Sequence, residues 1–322
     1  MLALWVPALV GCGGKVAATP ASETAAEAVT VPSFNADSAY AYVARQTQFG
    51  PRVPGTAAHA ACKDWLTAKL HAAGADTVFV QEGRQDDGRG KTVTVRNVFA
   101  RFGGKKADRV LLLAHYDTRP WADEDPEASN RNTPIDGAND GASGVGVLLE
   151  VARVLGTQTA PVGVDILLTD CEDSGISGDD EGDGHEDTWC LGARYFAANL
   201  PYPAALPKGA VLLDMVGGRN AVFRQEYFSL QRAPQLTRTL WNAAAAAGAG
   251  SRFPATVGGA VNDDHLPLLD AGVPTVDIIE IGHPQTGSFN PTWHTLQDNM
   301  DNIDAATLDA VGRTLLQYIY TL

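Results

Sequence analysis

Apolar runs alternate with amphipathic stretches along the chain. Apolar residues recur at helical spacing over 36–48, 56–73, 143–155, 190–199, 233–248 and 304–321. Runs rich in Val, Leu and Ile, typical of buried strands, occupy 92–101, 109–115, 162–169, 210–215 and 274–281. This alternation predicts an α/β fold, with a single domain built on a mostly parallel, twisted central sheet flanked by helices on both faces.

The chain begins with a short apolar segment. The nine residues 2–10 are too few to span a bilayer, which takes about 20, but they fit the apolar region of a signal peptide. The run from Leu9 to Cys12 resembles a bacterial lipoprotein cleavage box, which implies lipidation of Cys12. The alternative is a hydrophobic, disordered terminus. We therefore predict a lipoprotein-type signal segment over 1–12, a flexible tether over 13–32 and a catalytic domain over 33–322.

Composition narrows the classes of function. Hydrophobic residues make up 45% of the 322 residues, which excludes a wholly disordered chain. The formal net charge is −14, with no basic stripe, so a nucleic-acid partner is not expected. A membrane is expected to be a partner only through the lipid anchor. The protein is expected to be exported, as a periplasmic or outer-membrane lipoprotein that faces the periplasm.

The remaining cysteines do not form a metal motif. Cys62, Cys171 and Cys190 include no Cys-x-x-Cys pair, so a thiolate zinc site is not predicted. An export compartment permits one disulfide, for which Cys171 and Cys190 are the first pair to check. Equally, all three are explained as small buried apolar residues.

Acidic residues and histidines follow the predicted strands where each strand ends. Ligands of open α/β sheets bind beyond the carboxyl ends of the strands, so these side chains are expected to converge. Crowded carboxylates need a cation, and carboxylate with imidazole suits zinc. The converging residues are His115, Asp117, Asp140, Glu172, Asp173, Asp214, Asp263, Asp264, His265 and His294.

Some of these residues also have an interpretation other than metal binding. Asp140 has the alternative role of capping the helix that follows it, and Asp170 is interpreted as a turn former. Asp117, two residues after His115, is placed to orient that imidazole.

Five motifs occur in the order seen in zinc aminopeptidases with two co-catalytic zincs, and the chain resembles that superfamily over residues 36–322. The motifs are His115-Tyr116-Asp117, the segment 137–144, Cys171-Glu172-Asp173, Leu212-Leu213-Asp214 and Trp293-His294-Thr295. Within the superfamily the chain is more similar to the bacterial glutaminyl cyclases (glutaminyl-peptide cyclotransferases). That similarity rests on Trp293 before His294, on the Asp263-Asp264-His265 run and on Trp189, although ordinary packing also explains a tryptophan.

The resemblance implies a role for each matching residue. A single zinc would be held by Asp140, Asp173 and His294. Glu172 would be the general base and acid, with Asp214 and Asp263 forming a hydrogen-bonded acidic pair beside it. Trp293, Trp189 and, more weakly, Phe289 would line the substrate pocket. His115 and Asp214 match the ligands of a possible second metal.

The activity implied is conversion of the N-terminal Gln of peptides or proteins to pyroglutamate, with release of ammonia. The alternative is a di-zinc aminopeptidase that removes N-terminal residues. A third class, a catalytically inactive binding lipoprotein, is disfavoured because Glu172 and the ligand set are intact.

An acidic loop over 177–188 separates Asp173 from Trp189. Its closely spaced carboxylates and glycines make calcium binding conceivable, but they do not match the EF-hand pattern. A solvated insertion without bound calcium is the preferred interpretation.

Overall fold

The computed structural model of the protein describes residues 1–8, 30–88, 90–176 and 188–322. The strands are β1 (Thr77–Asp86), β2 (Thr92–Phe102), β3 (Arg109–His115), β4 (Gly163–Thr169), β5 (Ala210–Asp214) and β6 (Thr275–Ile279). They form a six-stranded sheet in the order β1-β2-β4-β3-β5-β6. The pairings β4–β3, β3–β5 and β5–β6 are parallel, whereas β1–β2 and β2–β4 are antiparallel. The predicted α/β fold is confirmed, with an antiparallel margin on one side of the sheet.

The helices match the amphipathic stretches closely. They are α1 (Ala36–Thr47), α2 (Ala57–Ala72), α3 (Ala142–Leu155), α4 (Leu191–Ala198), α5 (Tyr227–Arg232), α6 (Pro234–Ala246), α7 (His265–Asp270) and α8 (Ala305–Tyr320). Four of them begin at side-chain caps. The caps are Asn35, Thr56, Glu226 and Asp304, which accept backbone amides of the first turns of α1, α2, α5 and α8.

Three elements were absent from the sequence prediction. Strand β1 has an apolar run of only three residues, 78–80, and all of its side chains are half-buried or exposed, so it lacks the signal of a buried strand. Helices α5 and α7 have six residues each, which is too short for a helical period to emerge.

Alternate side chains of the central strands enter two different cores. In β3, Leu112 packs with the helices α1, α2, α3, α6 and α8 on one face. Its neighbours Leu111 and Leu113 pack with Phe196 of α4 and Leu268 of α7 on the other. Both faces of the sheet are therefore covered, as parallel strands require.

Helix α3 is nearly all buried and lies directly on the sheet. A Cβ at Gly144 would meet the Leu213 carbonyl oxygen at 2.3 Å and the Ala114 Cβ at 2.9 Å. The absence of a side chain at Gly144 thus lets the start of α3 approach β3 and β5. This contact brings the residues before α3 to the edge where β3, β4, β5 and β6 end.

Several predictions fall on parts of the chain outside the described residues. These parts include Cys12, most of the proposed tether and 177–187 of the acidic loop. Lipidation and calcium binding therefore stay predictions. In the part of the chain that is described, no helix is both long and apolar enough to cross a membrane.

Candidate active site and metal centre

Three predicted ligands meet at the carboxyl edge of the sheet. Asp140 precedes α3, Asp173 follows β4, and His294 lies in the loop after β6. The Nε2 atom of His294 is 3.2 Å from Asp173 Oδ1 and 3.6 Å from Asp140 Oδ2. One ligand atom from each residue lies within 4.8 Å of the others, and all three side chains are buried. We call these residues the first trio.

A second trio shares Asp140. The Nε2 atom of His115, at the end of β3, is 3.0 Å from Asp140 Oδ1 and 3.3 Å from Asp214 Oδ1 at the end of β5. The two oxygens of Asp140 thus face different histidines. A carboxylate in this position has the geometry to bridge two cations.

Two further aspartates hold the ligand loops in place. Asp117 accepts the backbone amides of Glu172 at 3.1 Å and Asp173 at 3.2 Å, and its Oδ1 lies 3.5 Å from His115 Nδ1. Asp298 accepts the amides of Asn139 at 2.7 Å and Asp140 at 3.0 Å. Helix α3 has no side-chain cap, so the capping role considered for Asp140 is not the one it has. Asp298 instead fixes the turn that presents this carboxylate.

Asp170 has a structural role, but it is not the turn-forming role that the sequence predicted. Its carboxylate is bonded to His59 Nε2 at 2.7 Å and to the backbone amide of Arg96 at 2.7 Å. Asp170 is fully buried and joins α2 to the sheet.

Strained backbone clusters around the site. Of the five described non-glycine residues with positive φ, four lie beside ligands or Glu172: Cys171, Cys190, Met215 and His294. Such conformations cost about 1–3 kcal/mol each and persist where the surrounding structure enforces them. The fold stabilises this loop geometry despite its local cost, as is typical of functional sites.

The donor set of the first trio fits a divalent cation. Its carboxylate and imidazole atoms are zinc ligands in other proteins. The Oδ2 atom of Asp173 is buried without a hydrogen-bond partner, which is costly unless a cation compensates it. Burial lowers the pKa of His294, but the Asp173 charge and hydrogen bonds with Asp123 and Asp173 raise it to about 9. The negative charge of the neighbouring carboxylates therefore outweighs the effect of burial on His294.

Glu172 and Asp263 line the same cavity as the first trio. Burial, reinforced by the charges of Asp263 and Asp173, raises the pKa of Glu172 well above its ordinary value. Burial and the charge of Asp214 likewise raise the pKa of Asp263. Both shifts favour the protonated carboxyl, which is the form that donates a proton in general acid catalysis.

The hydrogen-bonded pairing of Asp214 with Asp263 that the resemblance implies stays a prediction. The Oδ1 atom of Asp263 accepts the amide of Asp264 at 2.6 Å, and its Oδ2 has no hydrogen-bond partner. Burial and the charge of Asp214 raise the pKa of Asp263, so these two carboxyl groups influence each other's protonation.

Cys171 and Cys190 are free, buried thiols, as is Cys62. The disulfide considered for Cys171 and Cys190 does not form in the described structure, whereas the alternative of small buried residues agrees with it.

A cavity of about 270 Å³ opens above these groups. The predicted aromatic residues form part of its wall. The Trp293 ring stacks on His294 at 3.7 Å between centroids, Trp189 lies parallel to His294 at 6.3 Å, and Phe289 contacts Trp293 at 4.7 Å. The predicted site residues that line the cavity are Asp140, Glu172, Asp173, Trp189, Asp214, Asp263, Phe289, Trp293 and His294. His115 lies beneath them, buried in the second trio.

Sequence reasoning missed Asp298 and two further residues that support the first trio. Arg119 is fully buried, donates to the Asp173 carbonyl oxygen at 3.2 Å and lies over the Trp189 ring at 4.8 Å. Asp123 pairs with Arg119 and lies 3.3 Å from His294 Nδ1. Both belong to an irregular loop without a periodic signal. The only indication in the sequence was that Arg119 and Asp123, which have opposite charges, are four residues apart.

The fold and this site match known proteins. The chain is 46% identical to the crystal structure of Bacteroides thetaiotaomicron glutaminyl cyclase, with a TM-score of 0.87 over 91% of this chain and 100% of that one. Porphyromonas gingivalis glutaminyl cyclase is 44% identical, with a TM-score of 0.84 over 88% of this chain and 97% of that one. The Bacillus subtilis aminopeptidase YwaD is 26% identical over 67% of this chain, which spans 41% of that protein's length.

These matches define an enzyme of the zinc-peptidase type of α/β fold, with bacterial glutaminyl cyclases among its structural neighbours. Residues 97–319 match peptidase family M28, and the chain belongs to that family.

Proposed function

We propose that the protein is a zinc-dependent glutaminyl-peptide cyclotransferase, which converts N-terminal Gln of peptides or proteins to pyroglutamate and releases ammonia. The observation that supports this most is the small aromatic cavity over the first trio. At about 270 Å³ it lies just below the usual 300–1,000 Å³ of ligand pockets, which suits one terminal side chain. The 46% identity to a glutaminyl cyclase adds to this support.

The first trio, Asp140, Asp173 and His294, would hold one zinc ion. When bound, zinc supplies Lewis acidity that polarises an amide carbonyl. The rings of Trp293 and Trp189 would bracket the glutamine side chain and exclude water from the cavity.

Glu172 would carry the proton through the reaction. It removes a proton from the substrate α-amino group, whose nitrogen attacks the side-chain carbonyl carbon of the same residue. A ring C–N bond forms, the bond to the amide nitrogen breaks, and Glu172 returns the proton to the departing nitrogen, which leaves as ammonia. Because the attack is intramolecular, proximity supplies much of the rate.

Asp263 and Asp214 would influence the protonation of Glu172. The charge of Asp263 adds to burial in raising the pKa of Glu172, and the charge of Asp214 does the same for Asp263, which favours a Glu172 carboxyl that can return a proton to the leaving nitrogen.

The second candidate function is a di-zinc aminopeptidase, and the second trio favours it. His115, Asp140 and Asp214 offer a further set of ligand atoms within 4.8 Å of one another. In that case Glu172 would activate water, and the product would be a free amino acid. Metal analysis distinguishes the two: about one zinc per chain with ammonia release supports the cyclase, and about two with amino-acid release supports the peptidase.

The decisive experiment compares Glu172→Gln with a matched control. We expect Glu172→Gln to lower kcat for a Gln-initiated peptide by about 10²–10⁴-fold, since it removes proton transfer, with zinc content unchanged. Glu150 is also fully buried but lies on α3, where it pairs with Arg153. Glu150→Gln is expected to retain kcat. Full activity of Glu172→Gln, or cleavage of a Leu-initiated peptide without ammonia release, would contradict the proposal.

We also propose export of the protein with a lipid on Cys12. The apolar run before Cys12 supports this.

A further inference from the structure

The thiol of Cys190 lies against the carboxylate of Glu172. Its Sγ is 3.5 Å from Glu172 Oε1, and its backbone amide donates to the Glu172 carbonyl oxygen at 3.1 Å. Cys190 is completely buried and holds a left-handed conformation, with φ of 58°. Two contacts with one residue, made from a strained backbone, fix the thiol beside this carboxylate.

Asp263 completes a third group of ligand atoms. One atom from each of Glu172, Cys190 and Asp263 lies within 4.8 Å of the other two. The Oδ2 atom of Asp263 is buried and has no hydrogen-bond partner. Glu172 and Asp263 both line the cavity, so an ion from solvent has a route to the group.

One thiol and two carboxylates suit a thiophilic divalent cation. Thiolate ligands select soft or borderline metals such as zinc over magnesium and calcium. Bond lengths of about 2.3 Å for Zn–S and about 2.1 Å for Zn–O require only small side-chain shifts from the observed spacing.

We propose that Glu172, Cys190 and Asp263 form an inhibitory metal site, separate from both trios, that takes a thiophilic divalent cation such as excess zinc or cadmium. Binding releases the thiol proton to solvent and forms a metal–sulfur bond. The bound cation occupies the Glu172 oxygen that would otherwise accept the substrate proton. The expected inhibition by the cation rests on the proposed function of Glu172, whereas binding of the cation does not.

The test titrates zinc-loaded full-length protein with cadmium. A Cys12→Ser background leaves only the three described cysteines as thiols. Binding is followed by the ultraviolet thiolate-to-cadmium charge-transfer band and by metal analysis, which checks that the resident zinc stays. Inhibition is measured as cadmium-dependent loss of ammonia release, relative to each variant's own rate without cadmium. The variants are Cys190→Ser, Cys171→Ser and Cys62→Ser.

We expect one cadmium per chain with a charge-transfer band, and at least tenfold inhibition at saturation. Cys190→Ser is expected to lose the band and to weaken inhibition at least tenfold. Cys171→Ser and Cys62→Ser, which replace buried thiols outside the group, are expected to retain both. The proposal is wrong if the parent protein shows no band, or if the band persists in Cys190→Ser. If Cys190→Ser does not fold, a double Cys62→Ser, Cys171→Ser variant decides, because a band in it can arise only from Cys190. A band without inhibition would leave the metal site standing but would contradict the role of Glu172.

Discussion

The carboxylate of Asp117 offers a sharp test of how the ligand loop is held. It accepts two backbone amides, those of Glu172 at 3.1 Å and Asp173 at 3.2 Å. Asp117→Asn keeps the shape of the side chain but replaces one accepting oxygen with an NH₂ group. One of the two amides then faces a donor, and the loop that carries Glu172 and Asp173 shifts.

The expected loss can be worked from these contacts. A hydrogen bond to a charged group contributes about 1.5–3 kcal/mol, and about 1.4 kcal/mol corresponds to tenfold in an equilibrium constant. Losing one such bond predicts roughly 10–150-fold weaker zinc binding if the ligand position depends on it. Removing partners that orient metal ligands costs about 10–100-fold in metal affinity, so the two arguments agree.

The assay is competition for zinc with a chelator of known affinity, with kcat/KM for a Gln-initiated peptide measured alongside. Asp170→Asn is the matched control, because Asp170 is an equally buried aspartate that accepts one backbone amide but contacts no residue of the first trio. It should lower stability and leave zinc affinity within threefold, which is about 0.7 kcal/mol. Zinc affinity of Asp117→Asn within threefold of the parent would refute this account of the loop.

Three further predictions concern the packing, the pH response and the anchor. Gly144→Ala places a Cβ 2.3 Å from the Leu213 carbonyl oxygen, so we expect urea melts to show a loss of about 1–3 kcal/mol or more. Burial raises the pKa of the Cys62 thiol from 9.0 to about 11. The unfolded chain therefore releases that proton first, and stability falls between pH 9 and 11 by up to about 3 kcal/mol. In urea melts Cys62→Ala should remove that part of the pH dependence, and an unchanged slope would contradict it. Cys12→Ser should abolish incorporation of labelled fatty acid, and retained label would exclude Cys12 as the attachment point.

The arrangement of Asp140 bears on the number of metal ions. Its oxygens lie 3.0 Å from His115 Nε2 and 3.6 Å from His294 Nε2, so one carboxylate joins the first and second trios. Removing His115 should therefore distinguish the candidate functions. A cyclase with one zinc is expected to tolerate His115→Ala better than a di-zinc peptidase, which would lose a ligand.

Local pattern in the sequence determined most of the secondary structure and the identity of the site residues. The strands β2 to β6 are apolar runs, and the six longer helices have a clear helical period. The acidic residues and histidines stand at the ends of those strands or in the segments that follow them. Since the carboxyl ends of parallel strands share an edge of the sheet, order along the chain was enough to predict that Asp140, Asp173 and His294 converge.

Tertiary structure alone decided how these residues are supported and shared. Three contacts join residues that are 18 to 154 positions apart in the chain. They are the position of Asp140 between two histidines, the hydrogen bonds of Asp117 with two amides, and the thiol of Cys190 beside Glu172. Each depends on loop backbone with positive φ or on close helix–sheet contact, which residue periodicity does not encode. Periodicity reports which face of an element is buried, whereas the meeting of loops depends on how the whole sheet brings its strand ends together.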